Sequence, residues 1–263
     1  MDQISQQEQI ISIRTIFTRF VNNKKRLFVL MNIVNRLENF QAKDQWNLSV
    51  INRELVSRKP KDITQLQIDE ITRVSIVFFH AIFEDTIREF VRFKLSQDPV
   101  KALTITCPIK NISLPDLMNY RNEKIDFFCR KVICENLGIE KNLESLDIQS
   151  LIDESIKKYL ARQSINSVKN LTTILSKVDI PADSLPKQYF PILSEMMERR
   201  HKIVHQADLP SELSQEPTEI SIETVDEWID KSSNLIYHLF INELCKLGFM
   251  KGGKIYTDED MML

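Results

Sequence analysis

From Ile10 onward apolar residues return every three or four positions, first at Ile10, Ile13, Phe17 and Phe20, then at Phe28, Met31, Val34 and Leu37. That spacing is the 3.6-residue turn of an α-helix, and it commits the whole segment to one long amphipathic helix. A second helix is expected from roughly Thr64 to Leu95. Its middle, Val74 to Phe83 (VSIVFFHAIF), has no acid, Lys or Arg before Glu84 and Asp85, the pattern of a helix buried on most sides. A further helix is expected from about 119 to 137, stopping at Gly138, and two shorter ones near Ser150 to Arg162 and Ser164 to Val178.

Proline sets the boundaries. The nine prolines fall at Pro99, Pro108 and Pro115, at Pro181, Pro186 and Pro191, and at Pro210 and Pro217, with Pro60 alone. A helix therefore starts between Pro186 and Pro191, since proline is tolerated only in a first turn. The closing helix opens on a capping pattern from Thr224 to Glu227 and runs through Val225, Trp228, Ile229, Leu235, Ile236, Leu239, Phe240 and Leu247 to Gly248. The expected fold class is all-α, a helical bundle with a helical insert. It forms one domain whose core spans about 1–95 and 186–248, the insert about 97–184, and a polar tail at 251–263 is expected to fray.

Composition removes several functions. The only glycines are Gly138, Gly248, Gly252 and Gly253, so neither a phosphate-cradling loop nor a dinucleotide fingerprint can be written. Cys107, Cys129, Cys134 and Cys245 form no CxxC pair or zinc spacing and are read as reduced thiols without a role. A net charge of -2 removes the broad basic footprint of a protein that grips nucleic acid over a wide surface. Any such contact must be local. No charge-free span is long enough for a bilayer, and MDQISQQEQ lacks the basic start and apolar run of a secretory signal, so a cytoplasmic protein without membrane contact is expected.

Two of the four histidines sit beside paired arginines in Glu198–Asp208, ERRHKIVHQAD. With Ile192 at zero and about 100° per residue, Leu193, Met196, Met197, Ile203 and Val204 fall in one arc and define a buried stripe. Arg200 lies in the middle of that arc, whereas Glu195, Glu198, Arg199 and Lys202 lie opposite. An inward guanidinium cannot lose its proton, so it requires a carboxylate, a phosphate or a water-lined cleft. Glu84, at the end of the most apolar helix, is the carboxylate expected to pair with it structurally. His201 and His205, four apart, share the rim of the stripe. As a metal pair they would want a third ligand, and the zinc-protease pattern requires glutamate where Lys202 stands, so no metal or other cofactor is expected. As a catalytic group, a histidine can move a proton at neutral pH while an arginine fork neutralises phosphate charge. That is ribonuclease chemistry.

The run RRHKIVHQAD resembles the Arg-x4-6-His motif of the HEPN superfamily, as found in RiboL-PSP-HEPN-like and related stand-alone members, with Arg200, polar His201, three residues and His205. VFFHAIFEDTIREF resembles the HEPN helix that carries an acidic residue, matched by Glu84. The chain departs from the usual pattern in having His201 where asparagine is frequent, and in the length of its insert. The resemblance implies a metal-independent endoribonuclease, often a bacterial toxin or antiviral effector, that dimerises with both motifs at the interface. It implies His205 as the base that takes the 2′-hydroxyl proton and Arg200 as the stabiliser of transition-state charge. His201 would orient the phosphate, and Glu84 would orient Arg200 or His205. On a regular helix Arg200 and His205 stand about 140° apart, so they converge only at a helix end or across a homodimer with a composite active site. Such a dimer would bring two copies of Arg199, Arg200 and Lys202 into one RNA-binding cleft.

Three functions compete on these residues: cleavage of RNA, binding of nucleotide, RNA or protein without cleavage, and a helical scaffold in which Arg200 and His205 are structural. An antitoxin or regulatory protein is a further expected partner. His80 and His238 read as packed, hydrogen-bonded core residues, Trp46 and Trp228 as core, and Asn22 to Arg26 (NNKKR) as a solvated face.

Overall fold

Pro60 begins a helix because its missing N–H is one that a first turn never uses. That helix, α2 (Pro60–Ser96), lies against α1 (Gln6–Lys43). The computed structural model describes residues 5–43, 60–106, 148–206 and 220–249, and within them every regular element is helical. Beyond α2 come α3 (Pro99–Thr106), α4 (Ile148–Ala161), α5 (Val168–Ser176), α6 (Phe190–Gln206) and α7 (Ile222–Lys246), with short 3-10 turns at Ala182–Ser184 and Lys187–Tyr189. The expected helix near 119–137, Gly138, Trp46, the three cysteines before Cys245 and the tail lie outside the described residues.

Four helices close a ring: α1 packs on α2, α2 on α6, α6 on α7 and α7 on α1. Their directions follow from paired side chains. Gln6 donates to the Leu247 carbonyl and Phe17 meets the rings of Tyr237 and Phe240, so α1 and α7 are antiparallel. Phe90 meets Phe240 and Lys94 reaches Glu243, so α2 and α7 run the same way. Met196 lies beside Ser232 while Lys202 lines one cleft with Ile220 and Ser221, so α6 opposes α7. α3 and α4 flank α2, and α5 packs on the 182–184 turn and α6. One cluster of buried apolar residues runs through all these elements.

The helix period decides which residues enter that cluster. On α1 the buried stripe is Ile13, Phe17, Phe20, Val21, Leu27 and Met31. Phe28, expected in it, is 39% exposed, and Leu27 takes its place. Seven residues past Phe20 bring the helix back within about 20° of the same face, whereas eight overshoot by about 80°. On α2 the expected burial on most sides holds for Ile76, Phe79, Ile82 and Phe83, but Val74 is 57% and Phe78 38% exposed. These two lie four apart on one face of α2, which no helix among the described residues covers.

Caps set the ends. The Ser167 hydroxyl accepts from the Asn170 N–H and starts α5 three residues later than the expected Ser164. α7 likewise starts from Ser221, whose hydroxyl accepts from the Thr224 N–H, not from Thr224 itself. The earlier cap brings Ile222 into the helix, where it and Val225 are both buried. At the far end Gly248 adopts φ +69, with Phe249 N–H on the Leu244 carbonyl and Gly248 N–H on the Cys245 carbonyl. That Schellman arrangement needs a residue without Cβ strain, as the glycine stop predicts.

Candidate functional site

α6 begins after the 3-10 turn at Lys187–Tyr189 with Pro191 in its first turn, as the proline spacing requires. Leu193, Met196 and Met197 are buried and Ile203 packs against the core, so the predicted stripe forms. Val204 does not belong to it and is 44% exposed. α7 begins level with Lys202, so among the described residues it does not run alongside the last turn of α6, which carries Val204. His201 and His205 sit on this last turn, both exposed, with ring centroids 4.6 Å apart.

Arg200 is half-buried and faces α2. Its guanidinium lies close enough to His80 to act on that imidazole, and its Nε is buried without a hydrogen-bond partner. Among the described residues no carboxylate pairs with it. The expected ion pair with Glu84 is absent because Glu84 is engaged elsewhere. Its Oε1 accepts from Arg88 Nη2 at 2.9 Å and from the Ile165 N–H at 3.0 Å.

His80, Glu84 and Arg88 stand at i, i+4 and i+8 on one face of α2, and all three bind the backbone that joins α4 to α5. His80 Nε2 lies 3.1 Å from the Ile165 carbonyl, and Arg88 also donates to the Gln163 carbonyl. A carbonyl only accepts, so Nε2 of His80 carries the proton. His80 is 2% exposed, and burial lowers its pKa first, with the Arg200 guanidinium next in effect; Glu84, 4.0 Å away, pulls the other way. His80 is thus a neutral, hydrogen-bonded core residue as expected. Sequence reasoning did not place it beside Arg200, although its position one turn before Glu84 on the same helix face was a usable signal.

The remaining candidates divide between two surfaces. Arg199 and Lys202 line a shallow cleft with Glu195, Glu198, Ser221, Thr224 and Trp228, so acids share the surface expected to hold RNA. His205 stays on the solvent side, beside His201 and not beside Arg200. His238 is half-buried, with Nε2 3.2 Å from the Ser184 carbonyl and 2.9 Å from Asn242 Nδ2, and Trp228 is buried. Among the described residues no three of His, Cys, Asp and Glu stand at metal-ligand spacing, and no helix is long and apolar enough to cross a membrane.

Comparison with known proteins gives one match: the RiboL-PSP-HEPN family model fits residues 42–245, which contain α2 with Glu84 and α6 with Arg200 and His205. No curated protein and no solved structure matches the chain. Family membership brings a ribonuclease or RNA-binding role with it. A match over most of the length, on an all-helical chain whose arginine-histidine helix packs on an acid-bearing one, places this protein in the HEPN superfamily, as a RiboL-PSP-HEPN member.

Proposed function

We propose that the protein is a metal-independent endoribonuclease of the HEPN type. It cleaves RNA to 2′,3′-cyclic phosphate and 5′-hydroxyl ends and acts in the cytoplasm in bacterial toxin or antiviral defence. The carrying observation is Arg200: a half-buried guanidinium with an unpartnered Nε, next to a neutral imidazole, while the expected partner Glu84 accepts from Arg88 and a backbone N–H. A fixed cation without a matching anion is a site for a phosphate. In the reaction His205 takes the proton from the 2′-hydroxyl, and the 2′-oxygen attacks the adjacent phosphorus. The bond from phosphorus to the 5′-oxygen breaks, and that oxygen is protonated from solvent. Arg200 stabilises the charge on the phosphoryl oxygens, His201 orients the phosphate, and Arg199 and Lys202 hold flanking phosphates. Glu84 acts at one remove, by fixing the 163–165 backbone beside His80.

Within one protomer Arg200 turns toward α2 and His205 toward solvent, so a homodimer supplies the convergence. Exposed Val204 on α6 and Val74 and Phe78 on α2 offer apolar surface to a second copy at the same end of the bundle. An antitoxin or regulatory protein would compete for that surface. The divergence also favours the second reading, an RNA-binding module that does not cleave.

Purified protein should cleave RNA in EDTA, and Arg200→Ala and His205→Ala should each lower the rate by at least about 100-fold with the circular dichroism spectrum intact. Co-refolding the two inactive variants should restore cleavage, because one composite site of the mixed dimer is then intact. Cleavage unaffected in both single variants rules out the site; salt-sensitive RNA binding without any cleavage selects the non-catalytic reading.

A further inference from the structure

α1 lies almost wholly outside the family-matched residues 42–245, so membership says nothing about its outer face. The period that buries Ile13, Phe17, Phe20 and Leu27 turns Arg14, Thr18, Arg19, Asn22, Asn23 and Arg26 to the opposite side. These side chains line a groove of about 640 Å³, whose described lining contains no carboxylate and one apolar residue, Ile11. Arg19 pairs at 2.8 Å with Asp85 at the groove's edge, and both partners are solvent-exposed. Arg14 lies over the Phe249 ring at 5.3 Å, and no carboxylate among the described residues pairs with Arg14 or Arg26. On a chain of net charge -2 this strip is the local concentration of donors that nucleic-acid binding would need.

We propose that the outer face of α1 is a second RNA-binding track, which grips the phosphodiester backbone of a single strand away from the Arg200 rim. Guanidinium forks match phosphate oxygens bidentately, and the Thr18 hydroxyl and the Asn22 and Asn23 amides supply the neutral donors that accompany such contacts. Arg14 and Arg26 are about 18 Å apart along the helix axis, so the strip follows a strand instead of capturing one ion. A bilayer would want apolar side chains interleaved with the arginines, whereas among the described lining residues Ile11 alone is apolar and the exposed Phe28, Val29 and Leu30 lie beyond Arg26 at one end of the strip. The track leads toward the motif. α1 opposes α2 and Arg19 stands beside Asp85, so Asn23 and Arg26 are level with the turn of α2 that carries His80, the neighbour of Arg200.

The inference rests on RNA being this protein's ligand, but not on cleavage, and a binding assay separates the two. A 2′-O-methyl oligoribonucleotide, which cannot be cut, is titrated by fluorescence anisotropy at several salt concentrations. R14Q/R26Q should bind about tenfold more weakly at 0.1 M salt and lose about 1.4 from the slope of log K against log salt, since a single strand loses about 0.7 per phosphate contact. R14K/R26K should recover the slope, and the R14Q/R26Q loss should be the same in an R200A background, because distant sites add. Unchanged affinity and slope in R14Q/R26Q overturn the track, as does loss of binding to phosphatidylserine vesicles with RNA binding untouched. If wild type binds the oligomer, R14Q/R26Q loses it and no RNA is ever cut, the track stands while the catalytic reading falls.

Discussion

Toward the end of the bundle where α1 begins and α2 and α7 finish, aromatic packing and a buried ion pair join the helices, although Gln97 Nε2 is buried without a partner and Ile11 and Phe249 are exposed. The rings of Phe17 and Phe90 lie 5.4 and 5.1 Å from that of Phe240, Lys94 reaches the buried Glu243 at 2.6 Å, and Gly248 closes α7. At the opposite end Arg200 has a buried donor without a partner, Val74, Phe78 and Val204 face solvent, and among the described residues the last turn of α6 runs past α7. The first end holds the fold, while the second keeps apolar and charged groups unspent on intramolecular contacts. Exposed apolar side chains beside an unpartnered cation are where a second molecule would bind.

The largest expected effect lies at the packed end. Phe240→Ala should cost about 3–5 kcal/mol in chemical denaturation, because its two aromatic partners, Phe17 and Phe90, cannot collapse into the space it leaves. A loss under about 1 kcal/mol would mean that the ends are not differently built.

His80 gives a smaller and pH-dependent effect. Its folded pKa lies below the ordinary 6.5, with Arg200 and Arg88 lowering and Glu84 raising it after burial has acted. Between the folded value and 6.5 the unfolded chain binds more protons, so this contribution is complete above 6.5 and is lost as pH falls from there through the lower, folded value. The melting temperature of wild type should therefore drop between pH 7.5 and 5.5 by more than that of His80→Gln. Equal slopes would remove His80 from the account.

Arg200→Ala should change monomer stability by less than about 1 kcal/mol, since no ion pair is lost, whereas breaking a buried pair would cost about 3–5 kcal/mol. Smallest of all, Val74→Ser should leave the unfolding midpoint of the monomer unchanged, within about 0.5 kcal/mol, while weakening dimer formation in sedimentation.

Much of this arrangement was legible in the chain. The three-and-four spacing of α1, the proline before α6 and the glycine after α7 located helices correctly, because each rests on backbone geometry local to a few residues. The capping pattern points to Thr224 where the structure uses Ser221, since cap choice depends on which frame buries Ile222, a tertiary matter. Arg200 was read as inward from the wheel alone, and it is. Its partner was not legible. Glu84 is the expected partner, but its Oε1 is within reach of Arg88 one turn away and of a backbone N–H 81 residues on. Nothing in linear order ranks those competitors.

The residue pattern by itself determined that this protein is helical, that it carries an arginine and two histidines on one helix, and that it has no glycine-rich phosphate loop, because those properties depend on local periods and residue types. Only the tertiary structure decided that the 163–165 backbone consumes Glu84, that His80 stands neutral beside Arg200, and that α6 outruns α7 among the described residues, with Val204 and His205 exposed. Those outcomes depend on distances between segments far apart in the chain, where a few ångströms decide which of several competing hydrogen-bond partners wins.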